Sequence, residues 1–145
     1  MEHSLLAKHA EPDLRRACIH EYAHCIVARE LGAAGFVTIC GARDESSGRA
    51  RYGGRFQMHG ELAADDWRIV ALAGTIAECV LDDEAIAVPS ILGRLSRGDI
   101  ELSGSDAALA GEYDERDVTR CLAIVKRVWP TIAAEADAFV ESIRA

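Results

Sequence analysis

Apolar residues return at helical intervals along much of this chain and divide it into segments. The first stripe runs through Ile19, Tyr22, Ala23, Ile26 and Val27. Asp13, after Pro12, offers an N-cap and Gly32 a stop, so the pattern predicts a helix between them, with residues 1–12 a loose terminus. From Asp65 to Leu81 apolar residues at 69, 70, 73, 76, 77 and 80 predict a second helix, and the small Ala71, Ala73, Gly74 and Ala77 suit close packing against the first. Near the C-terminus, positions 118, 121, 122, 125, 128 and 129, then 132, 136, 139, 140 and 143, predict two amphipathic helices broken at Pro130.

Between these helices the pattern changes. Phe36-Val37-Thr38-Ile39-Cys40 is rich in β-branched residues and reads as a strand, and residues 50–56 would return beside it across the polar turn 44–48. Gly53-Gly54 fits a bulge in a surface hairpin, while residues 50–57 would equally serve as an edge that pairs with an extended substrate. Residues 83–102, with Pro89, Gly93 and Gly98, read as an irregular segment long enough to form a flap, where Arg94 and Arg97 are either substrate contacts or solvated cations. Ser103 or Ser105 would cap a short helix that carries Asp106 in its first turn. The sum is a mainly helical α+β domain with a small β-hairpin or sheet, spanning residues 1–145 as one unit.

Composition narrows the function classes. Half the residues are hydrophobic and 28% charged, a globular rather than disordered balance. A net charge of −8 argues against nucleic acid or an anionic membrane as the main partner. No signal peptide or membrane-length apolar run is visible, so the expected compartment is the cytoplasm. The five cysteines, at 18, 25, 40, 79 and 121, contain no Cys-x-x-Cys and read as reduced, buried residues.

The candidate chemistry lies in His20-Glu21-Tyr22-Ala23-His24. Residues four apart share a helical face, so His20 and His24 can offer two imidazole nitrogens to one zinc ion while Glu21, on the same side, accepts a proton from an activated water. The alternative is a pair of satisfied core histidines. A third histidine ligand in the elongated motif would stand at position 30, which is Glu30 here. The remaining carboxylates are Glu78 on the second helix and Asp106. Glu78 fits a role beside the metal, accepting the ring N–H of a ligating histidine, as well as it fits a helix-end charge or a surface ion pair. His59 reads as a solvated loop residue or as a hydrogen-bond donor near the metal, and Tyr22 as a packing residue.

Four separated segments resemble the peptidase domain of the FtsH-type zinc proteases, in particular its small free-standing bacterial relatives. They are residues 20–28, Leu72-Ala73-Gly74-Thr75-Ile76-Ala77-Glu78, Ser103-Gly104-Ser105-Asp106, and the stretch from Leu122 through Trp129-Pro130 to Ala136. The resemblance implies a zincin-like fold, zinc held by His20, His24 and Asp106, and Glu21 as general base. Two departures stand out. Tyr22-Ala23 replaces the family's Ala-Gly inside the motif, and no Gly-x-x-x-x-Gly-Lys-Ser/Thr run for ATP hydrolysis occurs. The expectation is a zinc-dependent endopeptidase acting on polypeptides without its own ATP hydrolysis, alone, as a homo-oligomer or with a separate unfoldase. The competing expectation is a metal-binding regulatory or interaction module that is catalytically silent or depends on a partner.

Overall fold

The chain runs α1 (Glu2–Glu30), β1 (Ala34–Arg43), β2 (Ala50–His59), α2 (Ala64–Asp82), α3 (Val88–Arg97), α4 (Gly104–Ala110) and α5 (Glu115–Arg144). This computed structural model describes the backbone of residues 2–43 and 50–144, and the side chains of residues 13–34 and 60–143. Helix α1 begins well before Asp13, which therefore lies inside the helix rather than at its cap, and Pro12 is accommodated within it. Its end follows the expectation. Gly32 has φ of 102°, which suits a residue without Cβ, and Gly32 N–H and Ala33 N–H donate to Arg29 O and Ala28 O, at 3.1 and 2.9 Å, as a left-handed helix stop.

Helix α1 packs against α2 and α5, α2 also meets α5 and α4, and α3 lies on α5. The buried stripes explain this arrangement. Ile19, Ala23, Ile26 and Val27 of α1 meet Ile69, Val70, Ala73, Ile76 and Ala77 of α2, and Val118, Cys121, Val125, Ile132, Ala136 and Val140 of α5 complete one cluster. Surface ion pairs Arg15–Asp137, Arg29–Glu135 and Arg127–Glu30 tie α1 to α5. Each is worth at most about 1 kcal/mol, against about 1.5–3 kcal/mol for burying one large aliphatic side chain, so the apolar contact decides the packing.

The mainly helical part of the expectation holds, but its α+β class is overturned. Five helices make the fold, and among the described residues every buried apolar side chain belongs to a helix or to the connections at Ala33 and Ile86. Strands β1 and β2 pair antiparallel only with each other, from Ala34↔His59 to Arg43↔Ala50, and lie against α1. Two strands cannot form a sheet layer with a core of its own, whereas α1, α2 and α5 satisfy one another's apolar faces. The one-to-one register runs through Cys40↔Gly53 and Ile39↔Gly54, so no bulge interrupts it there. The turn 44–49 and the side chains of residues 50–57, the candidate substrate edge, lie outside the described residues.

Two further expectations change. Residues 83–102 are not irregular throughout, since α3 occupies their centre with Pro89 in its first turn and Gly98 closing it at φ of 74°. The C-terminal helices are one, α5, with Pro130 inside. Its buried positions 118, 121, 125, 128, 132, 136 and 140 keep helical phase through the proline, so core contact on both sides holds the helix together despite the lost hydrogen bond. Cys18, Cys25, Cys79 and Cys121 are buried and form no disulfide, burial pushes the Cys18 thiol up to about 11, and the side chain of Cys40 lies outside the described residues. Among the described residues no helix is long and apolar enough to cross a membrane.

Candidate metal centre

Helices α1 and α2 run past each other in opposite directions, and the site follows from their register. One turn apart on α1 stand Arg16, His20 and His24; Asp82, Glu78 and Gly74 descend α2 beside them. Gly74 lies directly against the two rings. A Cβ there would lie 2.5 Å from His20 Nε2 and 2.6 Å from His24 Nε2, so only glycine lets α2 pass beneath the two rings. The rings stand edge to face with centroids 4.9 Å apart.

Each imidazole is oriented through its other nitrogen. His24 Nδ1 lies 2.6 Å from the carbonyl of Val70, which can only accept, so this nitrogen carries the proton and donates. His20 Nδ1 lies 2.8 Å from Glu78 Oε2. Burial alone would raise the Glu78 carboxyl, but its bonds to His20 and Arg16 outweigh burial and hold it below the usual carboxylate range. It is therefore ionised, and His20 Nδ1 donates to it. Glu78 is thus both the ring partner of His20 and an ion-pair partner of Arg16, at 2.8 and 2.6 Å.

The two Nε2 atoms then face a common point on α4. Ser103 caps this helix by accepting from Asp106 N–H at 3.2 Å, which fixes Asp106 in the first turn. Asp106 Oδ2 lies 3.1 Å from His20 Nε2 and 3.4 Å from His24 Nε2. Tetrahedral zinc with bonds of about 2.0–2.2 Å separates its ligand atoms by about 3.3–3.6 Å, so the His24 separation of 3.4 Å matches that ion and the His20 separation of 3.1 Å is slightly shorter, as a direct hydrogen bond is. Two ring nitrogens facing one carboxylate oxygen need a positive charge between them. A proton on His20 supplies it in part: burial opposes protonation there, but Asp106, Glu78 and Glu21 outweigh it and raise His20 to about 9. A divalent cation would satisfy both nitrogens and the carboxylate together. Burial opposes ionisation of Asp106 as well, yet its two histidine partners push its carboxyl far below the ordinary range.

Glu21 belongs to the same group, with a ligand atom within 4.8 Å of those of His20 and His24. Burial pushes its carboxyl up, with His24 and His20 pulling partly the other way. A carboxylate with raised basicity beside two ring nitrogens is suited to accept a proton. The structure thus brings His20, Glu21, His24, Glu78 and Asp106 together from three helices.

The other candidates fall elsewhere. Tyr22 packs its ring against Phe139 at 6.4 Å, as a core residue does. Arg97 pairs with Asp99 at 2.9 Å. The side chain of His59 lies outside the described residues. A cleft of about 200 Å³ opens behind Glu78, bordered by Arg16, Asp82, Ile100 and Glu101. Neither His20 nor His24 lines it.

Sequence reasoning did not find Arg16 or the Val70 carbonyl, and it named Gly74 only among several small residues suited to close packing of the two helices. The signal for Arg16 was present, since it stands one turn before His20 as Asp82 stands one turn after Glu78. Pairing those rungs required the helix register. No protein-family model matches the chain, and no curated protein matches it. The family resemblance therefore rests on the chain's own residues.

Proposed function

We propose that the chain is a zinc-dependent endopeptidase of the FtsH-like kind, with His20, His24 and Asp106 as zinc ligands and Glu21 as general base. The observation that carries this reading is that Asp106 Oδ2 lies 3.1 Å from His20 Nε2 and 3.4 Å from His24 Nε2, while Glu78 and the Val70 carbonyl occupy both Nδ1 atoms. Satisfied core histidines would not be expected to aim two ring nitrogens at one carboxylate. Bound there, zinc would supply a positive centre that polarises a scissile carbonyl and acidifies a water.

The chain's own residues divide the remaining work. Glu21 accepts the proton of the attacking water as its oxygen adds to the carbonyl carbon. It then delivers that proton to the departing amine nitrogen as the C–N bond breaks. Glu78 and Val70 keep the rings from turning, and the Ser103 cap keeps Asp106 in place. An unfolded polypeptide is the substrate class on which this reading is tested, because an extended backbone can bring its carbonyl to the site without prior unfolding.

The test pairs metal content with hydrolysis. Wild type should carry about one zinc per chain and cleave casein, and Glu21→Gln should keep the zinc while losing at least about 100-fold in rate. Full activity in Glu21→Gln would remove Glu21 from the mechanism. Zinc bound at full stoichiometry without cleavage of any unfolded protein would leave the regulatory or interaction module as the better reading.

A further inference from the structure

We propose that Arg16 is a positioning residue of the metal centre, acting on His20 through Glu78. The proposal rests on the reading of His20, His24 and Asp106 as a zinc site. The guanidinium divides its donors between two carboxylates on successive turns of α2. Nε donates to Glu78 Oε1 at 2.6 Å, while Nη1 and Nη2 donate to Asp82 Oδ1 and Oδ2 at 2.8 and 3.0 Å. Glu78 in turn divides its oxygens, Oε1 to Arg16 and Oε2 to His20.

This division gives Arg16 its role. A carboxylate held by one partner still rotates about its terminal bond, which turns broadly. Held at both oxygens, Glu78 has one orientation, and so does the ring whose Nδ1–H it accepts. His20 Nε2 then points to Asp106 before any ion arrives, and the site need not order itself on binding. The fork of arginine is required, since a lysine ammonium offers no rigid planar set of donors to span Glu78 and Asp82 together. The Arg16 side chain is 41% exposed and Asp82 49%, so as surface ion pairs these contacts add little to stability. Their effect belongs in the metal site.

The experiment measures zinc affinity by competition with a chromophoric chelator, and the visible spectrum of the cobalt-substituted protein, for wild type, Arg16→Gln, Arg16→Lys, Glu78→Gln and the double variant Arg16→Gln/Glu78→Gln. Thermal melting of each follows folding. Arg16→Gln is expected to bind zinc about 10- to 100-fold more weakly, the usual cost of losing a partner behind a metal ligand, and to shift the cobalt bands. Arg16→Lys should fall between it and wild type, and it carries the comparison should the Gln variant not fold. Because Arg16 acts through Glu78, adding Arg16→Gln to Glu78→Gln should weaken binding no further.

Arg16 variants with wild-type affinity and spectrum, whatever their melting temperature, would reduce Arg16 to a link between helices and overturn the proposal. Losses that multiply in the double variant would overturn the route through Glu78. A folded wild type that binds no zinc would overturn the metal site and this proposal together, whereas a zinc-binding wild type with unchanged Arg16 variants would overturn this proposal alone.

Discussion

At Gly74 a single methyl group decides whether two histidines can share an ion. Its Cβ would lie 2.5 and 2.6 Å from the two Nε2 atoms, where zinc would stand about 2.0–2.1 Å from each. In the interior of a helix alanine is otherwise favoured over glycine by roughly 1 kcal/mol. Gly74→Ala is therefore expected to keep the helical spectrum while losing zinc, measured as metal content after dialysis. Wild-type zinc content in a folded Gly74→Ala protein would mean that α2 does not lie against the rings as described. At this scale the sequence was legible where chemistry is local. His20, Glu21 and His24 share one helical face by spacing alone, and Asp106 follows a capping serine. Glu78 was ambiguous because its partner depends on how α1 and α2 slide past each other, which a repeating apolar stripe leaves open by whole turns.

Two elements carry predictions of opposite sign. Helix α4 has seven residues and depends on its cap, the Ser103 oxygen bonded to Asp106 N–H at 3.2 Å. Ser103→Ala should cost about 1 kcal/mol and also loosen Asp106, so zinc affinity should fall together with the melting temperature. A loss of stability with no loss of affinity would show that Asp106 is held by its histidine contacts alone. In α5, Pro130 is exposed and lies in a helix whose buried positions continue in phase on both sides. Pro130→Ala should raise the melting temperature, by a gain of up to roughly 3 kcal/mol; a fall would reveal a bend that the packing of Val128 and Ile132 requires. Proline and glycine also explain what was misread. Pro89 and Gly98 look like loop residues, yet the first turn and the left-handed stop of a helix are where they belong, and Val88, Ile91, Leu92 and Leu95 supply the period between them. Pro130 reads as a break in isolation, and only core contact beyond it shows that the helix continues.

For the whole molecule, the candidate site joins elements far apart in sequence: His20 and His24 on α1 meet Asp106 on α4 across the surface of α2. An ion held by that set binds the folded chain and not the separated helices, so it must stabilise the fold by mass action, by about 4 kcal/mol when free zinc is 1,000-fold above its dissociation constant. For a chain of this length each kcal/mol raises melting by a few degrees, so the expected rise is on the order of 10 °C. The comparison is made within each protein, with and without zinc, because His24 is buried and His24→Ala also leaves a cavity that lowers melting by itself. Wild type and Glu21→Gln should both show the rise, since Glu21 is placed in the chemistry and not among the ligands. His24→Ala and Asp106→Ala should show little or none. An equal rise in all four proteins would place zinc elsewhere on the chain and remove α4 from the metal site, and with it the link between ion binding and the packing of α1, α2 and α4.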